Sequence, residues 1–190
     1  MKTKFFSLLL LLFSKSFAQK PCEYSTNIID SLGVYKTTKS YIVHERNFGG
    51  NSNYLFFSLI RSQETPYLSI QTIQNSNSFI KTNCFDSDSK LFFQLANGKI
   101  ITMQHTDDEN CGTLLRGNNN FKNSRVNAAN FVFQKGSLED LKTAPIVMLR
   151  IKYGIETVDF VFVKELFSQL TNEKYFPEDY FISYLNCVEN

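Results

Sequence analysis

The chain has 190 residues, of which 20 are Lys or Arg and 18 are Asp or Glu. Three of the bases, Lys2, Lys4 and Lys15, fall in the first 18 positions, where there is no acid; the remainder holds 17 bases and 18 acids, a net charge of −1. This argues against a strongly basic nucleic-acid binder. A hydrophobic content of 43%, with 19 Phe and 9 Tyr, argues against an acidic disordered chain.

The first element is a leader. Met1-Lys2-Thr3-Lys4 is followed by Phe5 to Phe13, apolar except for Ser7, and Ser16-Phe17-Ala18 places small residues at −3 and −1 of a cleavage site. This is the layout of a signal peptide over 1–18. Nine residues are too few to span a bilayer, which needs about 20. No second long apolar run follows, so no transmembrane insertion is expected. The reading is a protein exported to the periplasm or beyond, with a single β-rich domain over 19–190.

Strands are predicted over Val34–Val43, Tyr54–Arg61, Tyr67–Ile73, Ser78–Cys84, Lys90–Ala96 and Lys99–His105, rich in Phe, Tyr, Ile and Leu and separated by turn-forming stretches. Asn97-Gly98 between the last two predicts a two-residue type I′ hairpin turn. Residues 112–130, with Gly117 and three consecutive asparagines, read as a long exposed loop with at most an edge segment. Asn130–Gln134 resumes a strand. Ser137 and Asp140 suggest a capping box for a short helix over Ser137–Leu141, stopped by Pro145. Val147–Tyr153 and Thr157–Lys164 form a second hairpin, its second strand apolar enough to be covered on both sides. Glu165–Leu170 reads as a short helix. Pro177, Glu178 and Asp179 suit the start of a last helix, with Phe181, Tyr184, Leu185 and Val188 at helical spacing. The expected class is mainly β (α+β): a twisted antiparallel sheet, sandwich or partly open barrel, with a short C-terminal helix packed on it.

Four cysteines in an exported chain argue for disulfides. Around an Asn97-Gly98 turn, opposed residues have numbers summing to 195, which sets Cys84 against Cys111. The remaining pair is Cys22–Cys187. No CxxC or other local metal-binding spacing is present.

Most catalytic templates fail on inventory. There is no HExxH, G-x-S-x-G, GxxxxGK[ST] or GxGxxG. Of the two histidines, His44 lies at a polar strand end and reads as structural or exposed. The same sum of 195 sets Asp88 against Asp107 and Asp86 against Glu109, with Asp108 nearby. Like charges across a ladder repel unless a hard cation such as calcium, with its six to eight oxygen ligands, lies between them. A solvated loop is the plainer reading, and paired-carboxylate hydrolysis is the third. Phe48, Phe121, Tyr175 and Phe176 lie in or near polar loops. There they either anchor loops to the core or form a recognition patch for a partner or a sugar.

The segments His105-Thr-Asp-Asp-Glu-Asn-Cys-Gly112, Leu141-Lys-Thr-Ala-Pro-Ile-Val-Met-Leu-Arg-Ile-Lys152 and Tyr180-Phe-Ile-Ser-Tyr-Leu-Asn-Cys187 resemble those of small exported β-rich proteins of unknown function from Bacteroidota-type bacteria. The resemblance implies an exported β-rich domain and supplies no catalytic residue. The leading functional expectation is a non-enzymatic domain that binds a protein or glycan of the cell envelope. The alternatives are a carboxylate-dependent, calcium-assisted hydrolase around Asp86–Glu109 and a purely structural envelope protein.

Overall fold

Alternation of large apolar and polar side chains organises most of the chain into one antiparallel sheet. The structure is a computed structural model that describes residues 21–31, 33–118 and 121–189, so the expected leader lies outside the described residues. The strands are β1 (Tyr24–Asp30), β2 (Gly33–Thr38), β3 (Tyr41–Phe48), β4 (Asn51–Ser62), β5 (Thr65–Ser76), β6 (Lys90–Leu95), β7 (Ile100–His105), β8 (Thr113–Leu115), β9 (Asn123–Phe133), β10 (Ile146–Lys152) and β11 (Thr157–Val161). Their order is β1-β2-β4-β5-β9-β7-β6-β10-β11; β3 also pairs with β4, and β8 with β9. The sheet curls without closing into a barrel. His44 on β3 meets the ring of Phe160 on β11 with centroids 5.1 Å apart, yet no ladder joins these strands among the described residues.

The concave face holds the core. Leu55, Phe57 and Leu59 of β4, Leu68 and Ile70 of β5, Phe93 of β6, and Phe131 and Phe133 of β9 are buried there. Tyr180, Phe181, Leu185 and Val188 close the core from the C-terminal helices α2 (Tyr180–Tyr184) and α3 (Asn186–Glu189). Phe181 lies edge-on to Phe93 at 5.2 Å. Pro177 begins a short 3-10 turn ahead of α2.

Several expectations are corrected. Val34–Val43 is two strands, β2 and β3, which share one edge of β4 and break at Lys39-Ser40. There the Thr38 hydroxyl accepts the Leu59 N–H at 2.9 Å, replacing the missing ladder bond. Ser78–Cys84 is irregular, because the free edge of β5 is taken by β9 and a following strand has nothing to pair with. The expected loop over 112–130 holds β8 and most of the central strand β9. The inward positions of β9 include Asn127 and Ala129, so its alternation is not one of large apolar side chains. Helix α1 (Ser137–Thr143) forms without the capping box; the Ser137 hydroxyl donates instead to the Gln134 carbonyl at 2.7 Å. β11 is covered on one face only, with Phe160 and Phe162 buried and Val161 and Val163 exposed. Glu165–Leu170 contains strand β12 (Leu166–Ser168), paired with β13 (Glu173–Tyr175). The Glu45 carboxylate fixes that hairpin by accepting from the Ser168 hydroxyl at 2.5 Å and the Gln169 N–H at 3.1 Å.

The β6–β7 turn is also one residue longer than expected. Leu95 and Lys99 pair around Ala96-Asn97-Gly98, with Gly98 at φ +84°, so opposed numbers sum to 194. Beyond the ladder one strand spends four residues (86–89) and the other five (105–109) before Phe85 bridges Asn110. That extra residue restores the sum of 195, and Cys84 and Cys111 are joined in a disulfide, as are Cys22 and Cys187. The second bond fastens the chain just before β1 to α3, where the Tyr24 hydroxyl also donates to the Cys187 carbonyl at 2.9 Å.

Candidate functional site

Followed along each strand, the concave face changes character at one level. On β4 the inward residues run Leu59, Phe57, Leu55 and then Asn53; on β5 they run Leu68, Ile70 and then Thr72, Gln74. On β9 they run Phe131, Ala129 and then Asn127, Arg125; β3 adds Arg46 and Phe48. The register places Arg46, Asn53, Gln74 and Arg125 in one row across four strands. The apolar core therefore fills one end of the curled sheet, and a polar hollow of about 530 Å³ opens at the other.

Part of this polar set is structural. Asn127 Nδ2 donates to the Asn83 carbonyl at 2.7 Å, Asn123 Nδ2 to Ser78 at 3.3 Å, and Arg125 to the Cys111 carbonyl at 3.1 Å. These bonds, with the Cys84–Cys111 disulfide, hold the irregular segment 78–84 against the mouth of the hollow. The rest faces the hollow. Asn53 Oδ1 is buried and accepts no hydrogen bond among the described residues, although leaving a buried acceptor unmade costs about 1–3 kcal/mol. Two phenylalanines stand at the rim in water: Phe48 is 76% exposed and Phe79 is 86% exposed. Lys81 and Glu156 form an ion pair there. Burial, and then the charge of Arg46, hold the half-buried His44 below the usual imidazole range.

The acids singled out in the sequence lie elsewhere and do separate work. Asp86 Oδ1 accepts from the Asp88 N–H and the Ser89 hydroxyl, both at 3.0 Å, closing a turn at the turn-forming stretch Asp86–Ser89. Asp107 turns to β9 and accepts the Asn130 N–H at 2.8 Å. Asp88 and Asp108 are exposed. Glu109 lies against the Cys84–Cys111 disulfide, whose joined sulfurs lack the thiolate charge a metal takes. Among the described residues, Asp86, Asp88, Asp107 and Glu109 do not converge on one point. Of the aromatics, Phe48 lines the hollow and Phe121 is exposed nearby in sequence to β9. Tyr175 is instead half-buried, edge-on to Tyr41 at 4.9 Å. The Phe176 N–H donates to the Tyr41 hydroxyl at 2.7 Å.

No protein-family model, curated protein or solved structure matches this chain. The chemistry of the hollow is therefore judged on its own residues. It offers amides, hydroxyls, one guanidinium without a carboxylate partner and two ring faces. Among the described residues the carboxylate that lines it, Glu156, is paired to Lys81. The sequence reading missed Asn53, Gln74 and Phe79. The available signal was the switch from Leu, Phe and Ile to Asn, Gln and Thr at inward positions of the same strands.

Proposed function

We propose that this chain is an exported, non-catalytic binding domain whose ligand is a glycan of the cell envelope, held in the hollow between β3, β4, β5 and the 78–84 segment. The observation that carries the reading is the pairing of side-chain amides, among them Asn53 with its unpartnered Oδ1, with solvated phenylalanine rings in one concavity. Sugar hydroxyls both donate and accept, as side-chain amides do. The negative face of an aromatic ring attracts the weakly positive C–H face of a pyranose. A concave site with a few fixed polar groups is the usual form of a small-ligand pocket. Export is supported by the leader pattern in the sequence and by the two disulfides, which persist in oxidising compartments. Among the described residues no helix is long and apolar enough to cross a membrane.

The test is retention of the purified protein on an array of bacterial envelope and plant-wall oligosaccharides, repeated with Phe79→Ala and Asn53→Ala. Each variant should lower affinity about tenfold or more, the effect of removing one central contact, with the circular dichroism spectrum unchanged. Retention that is equal in all three proteins places the ligand elsewhere.

A further inference from the structure

We infer that the ligand of the hollow carries a carboxylate and that Arg46 receives it, so that the domain selects uronate-type acidic sugars over neutral ones. This rests on the reading of the hollow as a glycan site and adds the class of sugar.

Arg46 projects from the concave face of β3, in register with Asn53 and, through it, with Gln74. Among the described residues that line the hollow, the other cation is Lys81. Lys81 is paired with Glu156, Lys122 donates to the Gly50 carbonyl, and Arg125 donates to the Cys111 carbonyl. Arg46 has no carboxylate partner among the described residues, although it stands at the rim of a site that contains one. The Lys81–Glu156 pair is internally neutral, so among the described residues that line the hollow Arg46 is the cation left without a carboxylate, on a planar, two-pronged donor. That geometry fits a carboxylate through two parallel N–H···O bonds. The chain without its leader has a net charge of −1. The chain as a whole offers no strong basic field to gather anions, and Arg46 is the lining cation placed to supply the preference. Asn53 and Gln74, neighbours of Arg46 in the row, are placed for the hydroxyls of the same ring, and Phe48 and Phe79 for its C–H face.

The experiment is an array of galacturonate-, glucuronate- and neuraminate-bearing oligosaccharides, each beside its carboxyl-reduced neutral counterpart, followed by calorimetric titration of the best-retained pair. The acidic member should bind about tenfold tighter or more, the span of one charge-assisted bond. Arg46→Gln should bring the two members level, Arg46→Lys should restore part of the gap, and Lys99→Gln, which removes the same charge at a distant hairpin, should leave it intact. Equal binding of acidic and neutral members overturns the assignment, as does an acidic preference that survives Arg46→Gln. Binding confined to neutral sugars and lost in Phe79→Ala keeps the glycan reading and refutes the carboxylate. No retention of any member refutes both.

Discussion

At Gly112 the backbone has φ +70° and passes so close to β9 that a Cβ would run into the Val126 carbonyl oxygen and stand 2.8 Å from Asn127 Cβ. Both the left-handed conformation and the lack of space demand glycine there. Gly112→Ala should cost about 2–4 kcal/mol, read as a fall in the urea midpoint; an unchanged midpoint would mean that the 111–113 segment separates from β9 without loss. The tyrosines set a different limit. Burial pushes Tyr41 up to about 12, against the Phe176 N–H bond that favours its phenolate, and burial raises Tyr153 and Tyr180 as well. A phenol whose folded pKa lies above the unfolded value contributes stability that is fully present below that unfolded value, near 10. The contribution is lost as the pH climbs through 10 towards 12 and beyond. Alkaline unfolding should therefore coincide with a late, cooperative rise in phenolate absorbance, and Tyr41→Phe should lessen the loss between those pH values. A gradual rise at ordinary tyrosine pKa, with the fold intact, would contradict this burial.

Among the elements, the two disulfides divide the work by loop length. Closing loops of 165 and 27 residues reduces unfolded-chain entropy by about 5 and about 3.5 kcal/mol respectively in the chain-entropy account. Cys22→Ser/Cys187→Ser should therefore lower the melting temperature more than Cys84→Ser/Cys111→Ser. The shorter bond should matter more to ligand binding, because it holds the segment that carries Phe79. The reverse order in both assays would show that the termini are independent of the core. The same pairings were legible in the sequence, although the turn was misread by one residue: the added residue in 105–109 cancels the longer Ala96-Asn97-Gly98 loop before Cys111 is reached. Hairpins bounded by strong turn residues and filled with Phe and Ile were readable because their signals are local. Only the end of β9, from Asn130, was legible; at Asn127 the inward side chain is an amide whose partner, the Asn83 carbonyl, lies 44 residues away. β12 was not legible: a strand stands in place of a helix because Glu45 captures the following turn. Phe79 was hidden for the opposite reason: a strand was expected through it, and strand neighbours would have buried one of its faces.

At the scale of the whole molecule, the question is why a curled sheet with an aromatic core leaves one end of its concave face lined by amides. Polar groups out of water with incomplete hydrogen bonding weaken a fold, and proteins commonly trade stability for a binding surface at such places. If the row formed by Arg46, Asn53 and Gln74 exists for a ligand, extending the core into it should strengthen the protein while abolishing its function. Asn53 is the sharpest site for this test, because it lines the hollow, its Oδ1 is buried without a partner as that of Asn127 also is, and its strand neighbour Leu55 already belongs to the core. Asn53→Leu keeps nearly the same volume, removes the unmade acceptor and adds apolar burial, for an expected gain of about 1 kcal/mol in chemical denaturation. The same variant should lose glycan retention. Asn127→Leu is the contrasting case: its Nδ2 bond to Asn83 anchors the 78–84 segment, so it should destabilise by about 1–3 kcal/mol and disturb the hollow indirectly. A loss of stability in Asn53→Leu as large as that in Asn127→Leu would make the polar end structural throughout and remove the physical reason for placing a ligand there.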